Sequence, residues 1–500
     1  MTTTPEPESI VVLDATTSAT RELLGGKAWG IQRMMALGIP VPPAFVVTTD
    51  VCRRFHHTPA TLPADVWGGV PAAMAALESR TERRFGGGAR PLLVSVRSGA
   101  AASMPGMMDT VLDLGMTDSV ELALAEHTGD PAFAADTRRR FRAQFQKVVG
   151  FAPPEDPWEQ LRLAISAVLD SWNSRRANSY RESRGLPHTD GTAITVQAMV
   201  FGNLDDRSGT GVLFTRNPLS GSAEPYGEWL PRGQGEDVVS GRADALALPV
   251  LAATMPQVHA DLLAAAERLE ADARDVQNIE FTVQSATLWL LQTRAATRSP
   301  TATVRHAAVL HRAGLITGTE ALDRVRPDHL QALFTPHLDQ SAVATATRVA
   351  TGKPACPGIA TGTVVLDAAA AQERVDRGEA VVFARPTTDP EDVAVMSVAA
   401  AVITELGGST SHAAVVCREL GVPCVVGCGS GTFAALAGRT VTVDATSGIT
   451  YSGELTVLPA PTTDDPDVLL LTSLAREEAM AELNDSLLGL LARRNGKQSE

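Results

Sequence analysis

The chain has 500 residues, too many for one hydrophobic core, so about two to four domains are expected. Its 44% apolar and 20% charged residues are typical of an ordinary soluble globular protein. The formal net charge of −14 argues against a nucleic-acid-binding protein, so an anionic ligand would need a local basic pocket.

The ends and the cysteines indicate the compartment. The acidic N-terminus, MTTTPEPESI, predicts neither a secretory signal nor a transit peptide. No stretch reaches the ~18 uncharged apolar residues of a membrane span, so we expect a cytoplasmic protein. Five cysteines favour free thiols in a reducing compartment. Cys417, Cys424 and Cys428 lie near His412, but their spacing matches no common zinc pattern, and VPCVVGC predicts a buried strand.

The first part of the chain mixes strands and helices. The segment LLGGKAWGIQRMMALGIPVPPAFVVTT predicts a loop, a helix that stops at Gly38, and a strand after the prolines. The segment PLLVSVRSGAAASMPGMMDTVLDLG predicts a strand, a glycine-bearing loop and a second extended segment. Residues 118–185 are predicted to be mostly helical because apolar residues recur at three-to-four spacing.

From residue 191 the pattern becomes β-rich. TAITVQAMVFGN and GTGVLFTRNP predict strands, and a helix is expected at about 257–272. NIEFTVQSATLWLLQTR predicts a hairpin, and the charged helical stretch 301–350 predicts a connector.

The last part predicts a compact α/β unit over about 352–458, in which strands alternate with short helices. A final helix is expected at about 467–494. Leucines on one face of this helix indicate that it docks on something: Leu470, Leu474, Leu483, Leu487, Leu490 and Leu491.

Two motifs in the first half suit a nucleotide. Gly25-Gly26-Lys27, ahead of a helix, supplies backbone donors and a point charge for phosphate, although the same pattern also fits an ordinary helix start. Arg97 adds a planar cation at a strand end. The loop Ser103-Met104-Pro105-Gly106 is either a cover over phosphates or a plain surface turn.

The hairpin carries oxygen ligands. Glu280 and Gln292 lie on its two strands, with Arg294 two residues beyond Gln292 on the same face. Carboxylate and amide oxygens suit Mg²⁺, and Arg294 would neutralise charge on a transferred phosphoryl group. The alternative is a cross-strand pair on a solvated face.

The motif GGSTSHAAVVCRELG places His412 at a helix start. Ser409 or Thr410 is predicted to cap a helix His412–Leu420, which Gly421 ends. The helix start would hold a phosphoryl group on His412, whose neutral imidazole is a capable nucleophile. The alternative is an ordinary histidine in the cap region.

Together these motifs resemble the pyruvate, phosphate dikinase family, with phosphoenolpyruvate synthases as more distant relatives. The resemblance covers about residues 15–460 and includes, besides the segments above, GTGVLFTRNPLSG, which extends the strand GTGVLFTRNP, and YGEWLPRGQGEDVVSG. It implies an α/β fold in which an ATP-grasp nucleotide-binding domain precedes a swivelling β/β/α phosphohistidine domain. The expected boundaries are 1–298 for the ATP-grasp domain with a helical insert at about 118–188, 299–351 for the connector, 352–458 for the phosphohistidine domain, and 459–500 for a linker and terminal helix.

The resemblance also implies roles for individual residues. Lys27 and Arg97 would bind ATP phosphates, and Arg294 would contact phosphate. The adenine hinge would consist of Gln197, Met199 and Val200, and the ribose and metal side of Glu228 and Glu236. Mg²⁺ would be bound by Glu280, Gln292 and, where the family usually has Asp, Asn278. His412 would be phosphorylated beside Thr410 and Ser411, with Arg385 and Thr387 in the same pocket.

The implied reaction uses ATP and phosphate or water. His412 takes a pyrophosphoryl group from ATP and releases AMP, the outer phosphoryl passes to inorganic phosphate or water, and the phosphohistidine serves a later acceptor. The local Thr-Ser-His favours phosphate as the co-substrate. Asn278 keeps an oxygen ligand but loses a charge, which is expected to lower metal affinity or the transfer rate.

Family members continue into a pyruvate-binding barrel of ~250 residues, whereas this sequence ends at Glu500. We therefore expect the acceptor site to be missing or to lie on another protein. Three hypotheses follow: a phosphotransferase acting on a small molecule other than pyruvate, the ATP-binding subunit of a split dikinase with a separate barrel subunit, or a catalytically silent regulatory protein.

Overall fold

The computed structural model describes residues 9–57, 62–102, 104, 106–235, 237, 245–333, 337–338, 340–458, 465–479, 487, 491 and 494. The chain divides into two compact units. The first contains Met1–Gly209 and Glu280–Arg294, and the second contains Thr210–Ile279 and Ala295–Glu500. None of the helices in the described ranges combines the length and apolar character that a membrane span requires.

An antiparallel sheet forms the centre of the first unit, with strand order β1-β2-β7-β5-β6. The first seven strands are β1 Ile10–Val12, β2 Ala44–Val47, β3 Arg84–Phe85, β4 Pro91–Leu92, β5 Val94–Gly99, β6 Thr110–Leu114 and β7 Ala193–Ala198. Every residue of β2 and β7 is buried; β2 is a continuous apolar run, whereas β7 also buries the polar residues Thr195 and Gln197. The predicted strand, loop and extended segment of residues 91–115 correspond to β5 and β6, which pair with each other.

Helices surround this sheet. They are Arg21–Ala36, Thr49–His57, Ala64–Thr81, Asp118–Thr128, Pro131–Val149, Pro157–Asp170 and Arg175–Arg184. The last four confirm the predicted helical stretch 118–185. Three of those four begin at a Thr or Asp whose side chain accepts a hydrogen bond from the first turn, and the fourth begins at Ser174 in the same way.

A second five-stranded sheet has the order β10-β9-β8-β11-β12. Its strands are β8 Gly209–Phe214, β9 Tyr226–Pro231, β10 Leu246–Ala247, β11 Gln277–Gln284 and β12 Thr287–Ala295. The predicted hairpin is confirmed as β11 and β12, and Ser285 and Ala286 form its turn with φ of 47° and 61°. Each of these two strands crosses the boundary between the units along the chain.

The remaining helices before the last domain, together with the terminal one, are Pro249–Thr254, Pro256–Ala273, Pro300–Arg312, Gly318–Asp323, Pro327–Leu333, Gln340–Thr345 and Pro466–Ala479. The terminal helix docks, as predicted, and its partner lies in this same chain. Leu471 and Leu491 are fully buried in one cluster with Val304 and Leu310 of the connector. Leu470 and Leu474 pack against that cluster, whereas Leu483 and Leu490 lie outside the described residues.

An eight-stranded mixed sheet has the order β14-β21-β20-β16-β17-β18-β19-β15. Its strands, together with the separate pair β13–β22, are β13 His337–Leu338, β14 Arg348–Thr351, β15 Lys353–Cys356, β16 Ile359–Val365, β17 Val381–Arg385, β18 Ala401–Thr404, β19 Cys424–Val426, β20 Thr440–Asp444, β21 Ile449–Ser452 and β22 Val457–Leu458.

Strands β16, β17, β18 and β19 of this sheet are parallel neighbours. Crossovers between them contain the helices Ala368–Asp376, Val393–Met396 and His412–Leu420. Because parallel strands end at one edge, the loops after β17 and β18 emerge side by side. His412 begins the helix that follows β18.

Candidate functional site

The Gly25-Gly26-Lys27 segment is a kink within one helix rather than a loop before it. Gly25 has φ 72° and ψ 160°, and a Cβ at this position would lie 1.7 Å from the carbonyl oxygen of Gly99. Gly26 N–H donates to the carbonyl of Ala100 at 2.9 Å. Only glycine fits so close to the end of β5, and the helix resumes with Lys27 in its first turn.

Lys27 lies in a cationic setting within the first unit. Burial, together with the guanidinium groups of Arg97 and Arg294 and against the opposing carboxylate of Glu280, lowers the pKa of its ammonium to about 7. A bound phosphate would supply the negative charge that favours protonated Lys27. The lowered pKa of Lys27 is therefore what an anion-binding ammonium shows when no anion is bound.

Arg97, Glu280 and Gln292 meet in the first unit. The Nη2 atom of Arg97 lies 3.3 Å from Oε2 of Glu280 and 3.5 Å from Oε1 of Gln292. Both side chains of the Arg97–Glu280 pair are about one-fifth exposed, at 18% and 20%. The structure thus gathers four of the predicted residues, with Lys27 as the fourth. We call Lys27, Arg97, Glu280 and Gln292 the phosphate cluster.

The predicted metal ligands offer oxygen atoms of the right kind. Asn278 stands two residues before Glu280 on β11, and alternation along a strand points both side chains to one side. Asn278 is 5% exposed, and its Oδ1 finds no hydrogen-bond donor among the described residues. A buried acceptor without a donor is what a cation ligand presents, so the chemistry of Asn278 is compatible with Mg²⁺.

The predicted adenine hinge follows β7. Gln197 is buried in the sheet, where its side-chain amide donates to the carbonyl of Pro42 at 3.1 Å. Met199 is also buried and its N–H donates to the carbonyl of Leu93, whereas Val200 is partly exposed. Contact of these residues with a nucleotide stays a prediction.

Some predicted residues fall outside the described ranges. These are Glu236, assigned to the ribose and metal side, and Ser103 and Pro105 of the predicted cover loop.

All five cysteines are buried and unpaired, as expected for free thiols. Among the described residues, no group of three or more His, Cys, Asp or Glu side chains is arranged to hold a metal ion.

The helix His412–Leu420 has the predicted bounds, and Gly421 ends it with φ 72°. The predicted cap is wrong. Ser411 is the N-cap residue and its side chain makes no cap bond, while the hydroxyls of Ser409 and Thr410, the predicted caps, are bound to Glu228. The neighbour that reaches His412 is Thr388, one position beyond the predicted Thr387, with Oγ1 3.2 Å from Nδ1.

The imidazole of His412 is prepared as a neutral nucleophile. Burial lowers its pKa, partly against the carboxylates of Asp389 and Asp392. The Nε2 atom is buried and has no hydrogen-bond partner among the described residues. With the proton on Nδ1, that atom donates to Thr388 and the Nε2 lone pair is left for bond formation.

Glu228 is bound by residues 407–411, which we call the histidine loop. Its Oε1 accepts from Ser409 N–H at 2.9 Å and from Ser409 Oγ at 2.8 Å, and its Oε2 accepts from Thr410 Oγ1 at 2.6 Å. Thr410 was predicted as catalytic and Glu228 as a ribose-side residue. The structure brings these two together, within the second unit.

Two further residues hold the histidine loop, and sequence reasoning missed both. Tyr226 donates its hydroxyl to Ser409 Oγ at 2.5 Å. Arg418, 2% exposed, donates Nη1 to the carbonyls of Ser409 at 2.7 Å and Ala355 at 3.2 Å. The paired glycines were the available signal, because a Cβ on Gly408 would lie 2.5 Å from both oxygens of Glu228.

Known proteins share these features. A family profile described as pyruvate phosphate dikinase, AMP/ATP-binding domain, matches residues 21–62 and 58–258. Another, described as PEP-utilising enzyme, mobile domain, matches residues 378–448, which include His412.

Curated relatives agree with the profiles. The chain is 40% identical over 455 residues to pyruvate, phosphate dikinase 2 of Zea mays, covering 82% of this chain and 51% of that protein. It is 37% identical over 509 residues to pyruvate, phosphate dikinase of Rhizobium meliloti (strain 1021), covering 88% and 56%. The chain spans about half the length of the curated relatives it matches. The expected α/β class, with an ATP-grasp domain followed by a β/β/α phosphohistidine domain, is confirmed. The chain belongs to the pyruvate, phosphate dikinase family.

Proposed function

We propose that this chain is a dikinase-type phosphotransferase that transfers a phosphoryl group from ATP to its own His412. The single observation that carries the proposal is the state of the His412 ring. Its Nε2 is buried without a partner in the described part of the chain, while Thr388 holds Nδ1. An imidazole fixed through one nitrogen and unpaired at the other is arranged for nucleophilic attack.

The proposed first step forms a bond between Nε2 and the β-phosphorus of ATP and breaks the bond from that phosphorus to the α,β-bridging oxygen. AMP leaves with that oxygen. The outer phosphoryl of the resulting pyrophosphoryl group then passes to inorganic phosphate or water, and phosphohistidine remains. Phosphate is the favoured co-substrate.

The phosphate cluster supports this role. Lys27 and Arg97 supply a point charge and a planar donor for phosphate oxygens, and Arg294 adds charge nearby. Asn278, Glu280 and Gln292 would hold Mg²⁺, which when bound stabilises the charge on the phosphoryl groups. These intact groups argue against a catalytically silent protein.

The proposed acceptor follows the sequence-based prediction, a small molecule other than pyruvate. The alternative is pyruvate on a separate barrel subunit. The leucine face of the terminal helix was the predicted docking element for such a subunit. Because Leu487 and Leu491 of that face are buried within this chain, and Leu470 and Leu474 pack against the same cluster, the face does not favour the alternative.

The test uses ATP labelled at the β-phosphorus or at the γ-phosphorus, with Mg²⁺ and phosphate. We expect acid-labile β-label on the protein, AMP as the nucleotide product, and loss of label by at least ~10³-fold in His412→Ala. His259→Ala changes a partly exposed helical histidine that has no role in the proposed reaction and should label normally. Label from the γ-position alone, with ADP as the product, would refute the dikinase step.

A further inference from the structure

The histidine loop binds a negatively charged group of the protein itself, the Glu228 carboxylate. Ser409 N–H, Ser409 Oγ and Thr410 Oγ1 all point at Glu228, whose side chain is 4% exposed. Backbone N–H groups and hydroxyls ahead of a helix are the donors that commonly bind phosphate oxygens. In this structure the Glu228 carboxylate accepts hydrogen bonds from these three donors.

The contact is built for close approach. Position 408 is a glycine, and a Cβ atom there would clash with both carboxylate oxygens of Glu228. Tyr226, two residues before Glu228 on β9, bonds to the same Ser409 hydroxyl. Arg418 lies beneath the loop, fully enclosed, with Nε and Nη2 lacking partners among the described residues. Its buried positive charge favours an anion at the loop, where the Glu228 carboxylate already interacts with it.

We infer that Glu228 is a positioning residue: its carboxylate clasps the histidine loop onto β9 while His412 is unphosphorylated, and phosphorylation of His412 weakens this clasp. The inference rests on the proposed function. A phosphoryl group on His412 places about two negative charges two or three residues from Ser409 and Thr410. Repulsion from Glu228 in a buried setting, and competition for the same donors, both oppose the clasp.

The clasp would make the position of the histidine loop depend on whether His412 is phosphorylated. The unphosphorylated loop is held in one place for the first transfer, and the phosphorylated loop is released for the next. Glu228 acts through the loop and not on the nucleotide. Its loss should therefore slow phosphorylation of His412 without weakening ATP binding.

Hydrogen exchange with mass spectrometry on the full chain tests the clasp. In the wild type, MgATP should accelerate exchange in the peptides covering 405–411 and 226–231 by about tenfold, since charge-assisted hydrogen bonds are lost. His412→Ala with MgATP should show no such change. Glu228→Gln should exchange about tenfold faster before any nucleotide is added, and phosphorylation should add little.

Matched variants separate positioning from folding and from nucleotide binding. Glu228→Gln should phosphorylate His412 about tenfold more slowly with unchanged ATP affinity, and Gly408→Ala, which keeps the carboxylate, should behave alike. Tyr226→Phe loses one hydroxyl bond and should slow the reaction less than about threefold. The exposed Glu224→Gln is the control and should match the wild type.

Three outcomes would overturn the inference: unchanged exchange in Glu228→Gln, phosphate on His412 with a fully protected loop, or a parallel loss of ATP affinity in Glu228→Gln. The proposed function would survive all three. Conversely, absence of phosphate on His412 would refute the proposed function. Faster exchange in unphosphorylated Glu228→Gln would still support the role of Glu228 in positioning the histidine loop.

Discussion

The phosphate cluster and the histidine loop are both arranged to bind negative charge, but they differ in how that charge is balanced. In the cluster, burial and neighbouring guanidinium groups lower the pKa of Lys27 to about 7, and Glu280 only partly opposes them. In the histidine loop, the Ser409 N–H and the hydroxyls of Ser409 and Thr410 are bound to Glu228.

The phosphate cluster therefore has excess positive charge that a bound anion would neutralise. The histidine loop already binds a carboxylate of the protein itself. Binding of an anion stabilises a cationic cluster, because the partly buried positive charges then have a negative partner. A loop already filled by a carboxylate gains nothing until that carboxylate leaves. The first site is therefore expected to respond to nucleotide binding, and the second to phosphorylation.

The largest effect is expected where the cluster depends on close packing. Gly25→Ala puts a Cβ against the Gly99 carbonyl at a positive φ and should displace Lys27. We expect a loss of about 3 kcal/mol or more in unfolding free energy, together with most ATP affinity. Denaturant unfolding and calorimetry would measure both.

Gly38→Ala is the matched control, with φ 67° but open space around its Cβ. It should cost about 1 kcal/mol and leave ATP binding intact. Equal losses in the two variants would show that backbone conformation alone, and not the approach to β5, explains the glycine.

An intermediate effect is expected from pH. As a proposed phosphate ligand, Lys27 would bind best when protonated, and its pKa of about 7 means that this form is lost as pH rises through 7. ATP affinity should therefore be highest below pH 7 and fall about tenfold between pH 7.5 and 9, with uptake of nearly one proton on binding. Calorimetry in buffers of different ionisation enthalpy measures that uptake.

Lys27→Arg stays charged throughout this range and should lose both the proton uptake and the pH dependence. A wild-type affinity that is flat from pH 7.5 to 9 would mean that Lys27 is already protonated without ligand. The contrast between the two sites would then disappear.

The smallest effect concerns the metal side. Asn278→Asp adds a carboxylate beside Glu280 on β11, so Mg²⁺ should half-saturate the labelling of His412 at a concentration about three- to tenfold lower. Asn278→Ala removes the oxygen and should raise that concentration by a similar factor. A Mg²⁺ titration that is identical for both variants would exclude Asn278 as a ligand.

Local signals explain what the sequence predicted correctly. The His412 helix ends at Gly421 because glycine takes the left-handed conformation there at no cost. The β11–β12 hairpin and the buried strand Cys424–Val426 follow from short apolar runs bounded by turn residues. The hairpin pattern also predicted that Glu280 and Gln292 lie on neighbouring strands, whereas the placement of Arg97 with them came from the family resemblance rather than from any local pattern.

Long-range contacts explain what the sequence missed. Glu228 and Ser409 are 181 residues apart, so no window of sequence relates the carboxylate to the hydroxyls that it draws away from the helix cap. The same applies to Thr388 beside His412 and to the terminal helix against the connector, where hydrophobic periodicity predicts a buried face but not its partner.

The most direct test of the account is the location of phosphate on the chain. After incubation with MgATP and phosphate, tandem mass spectrometry at basic pH should find one phosphoryl group on the peptide that contains His412, and ³¹P NMR should assign it to Nε2. Unmodified His412 in protein that has released AMP, or phosphate on another residue, would contradict the account.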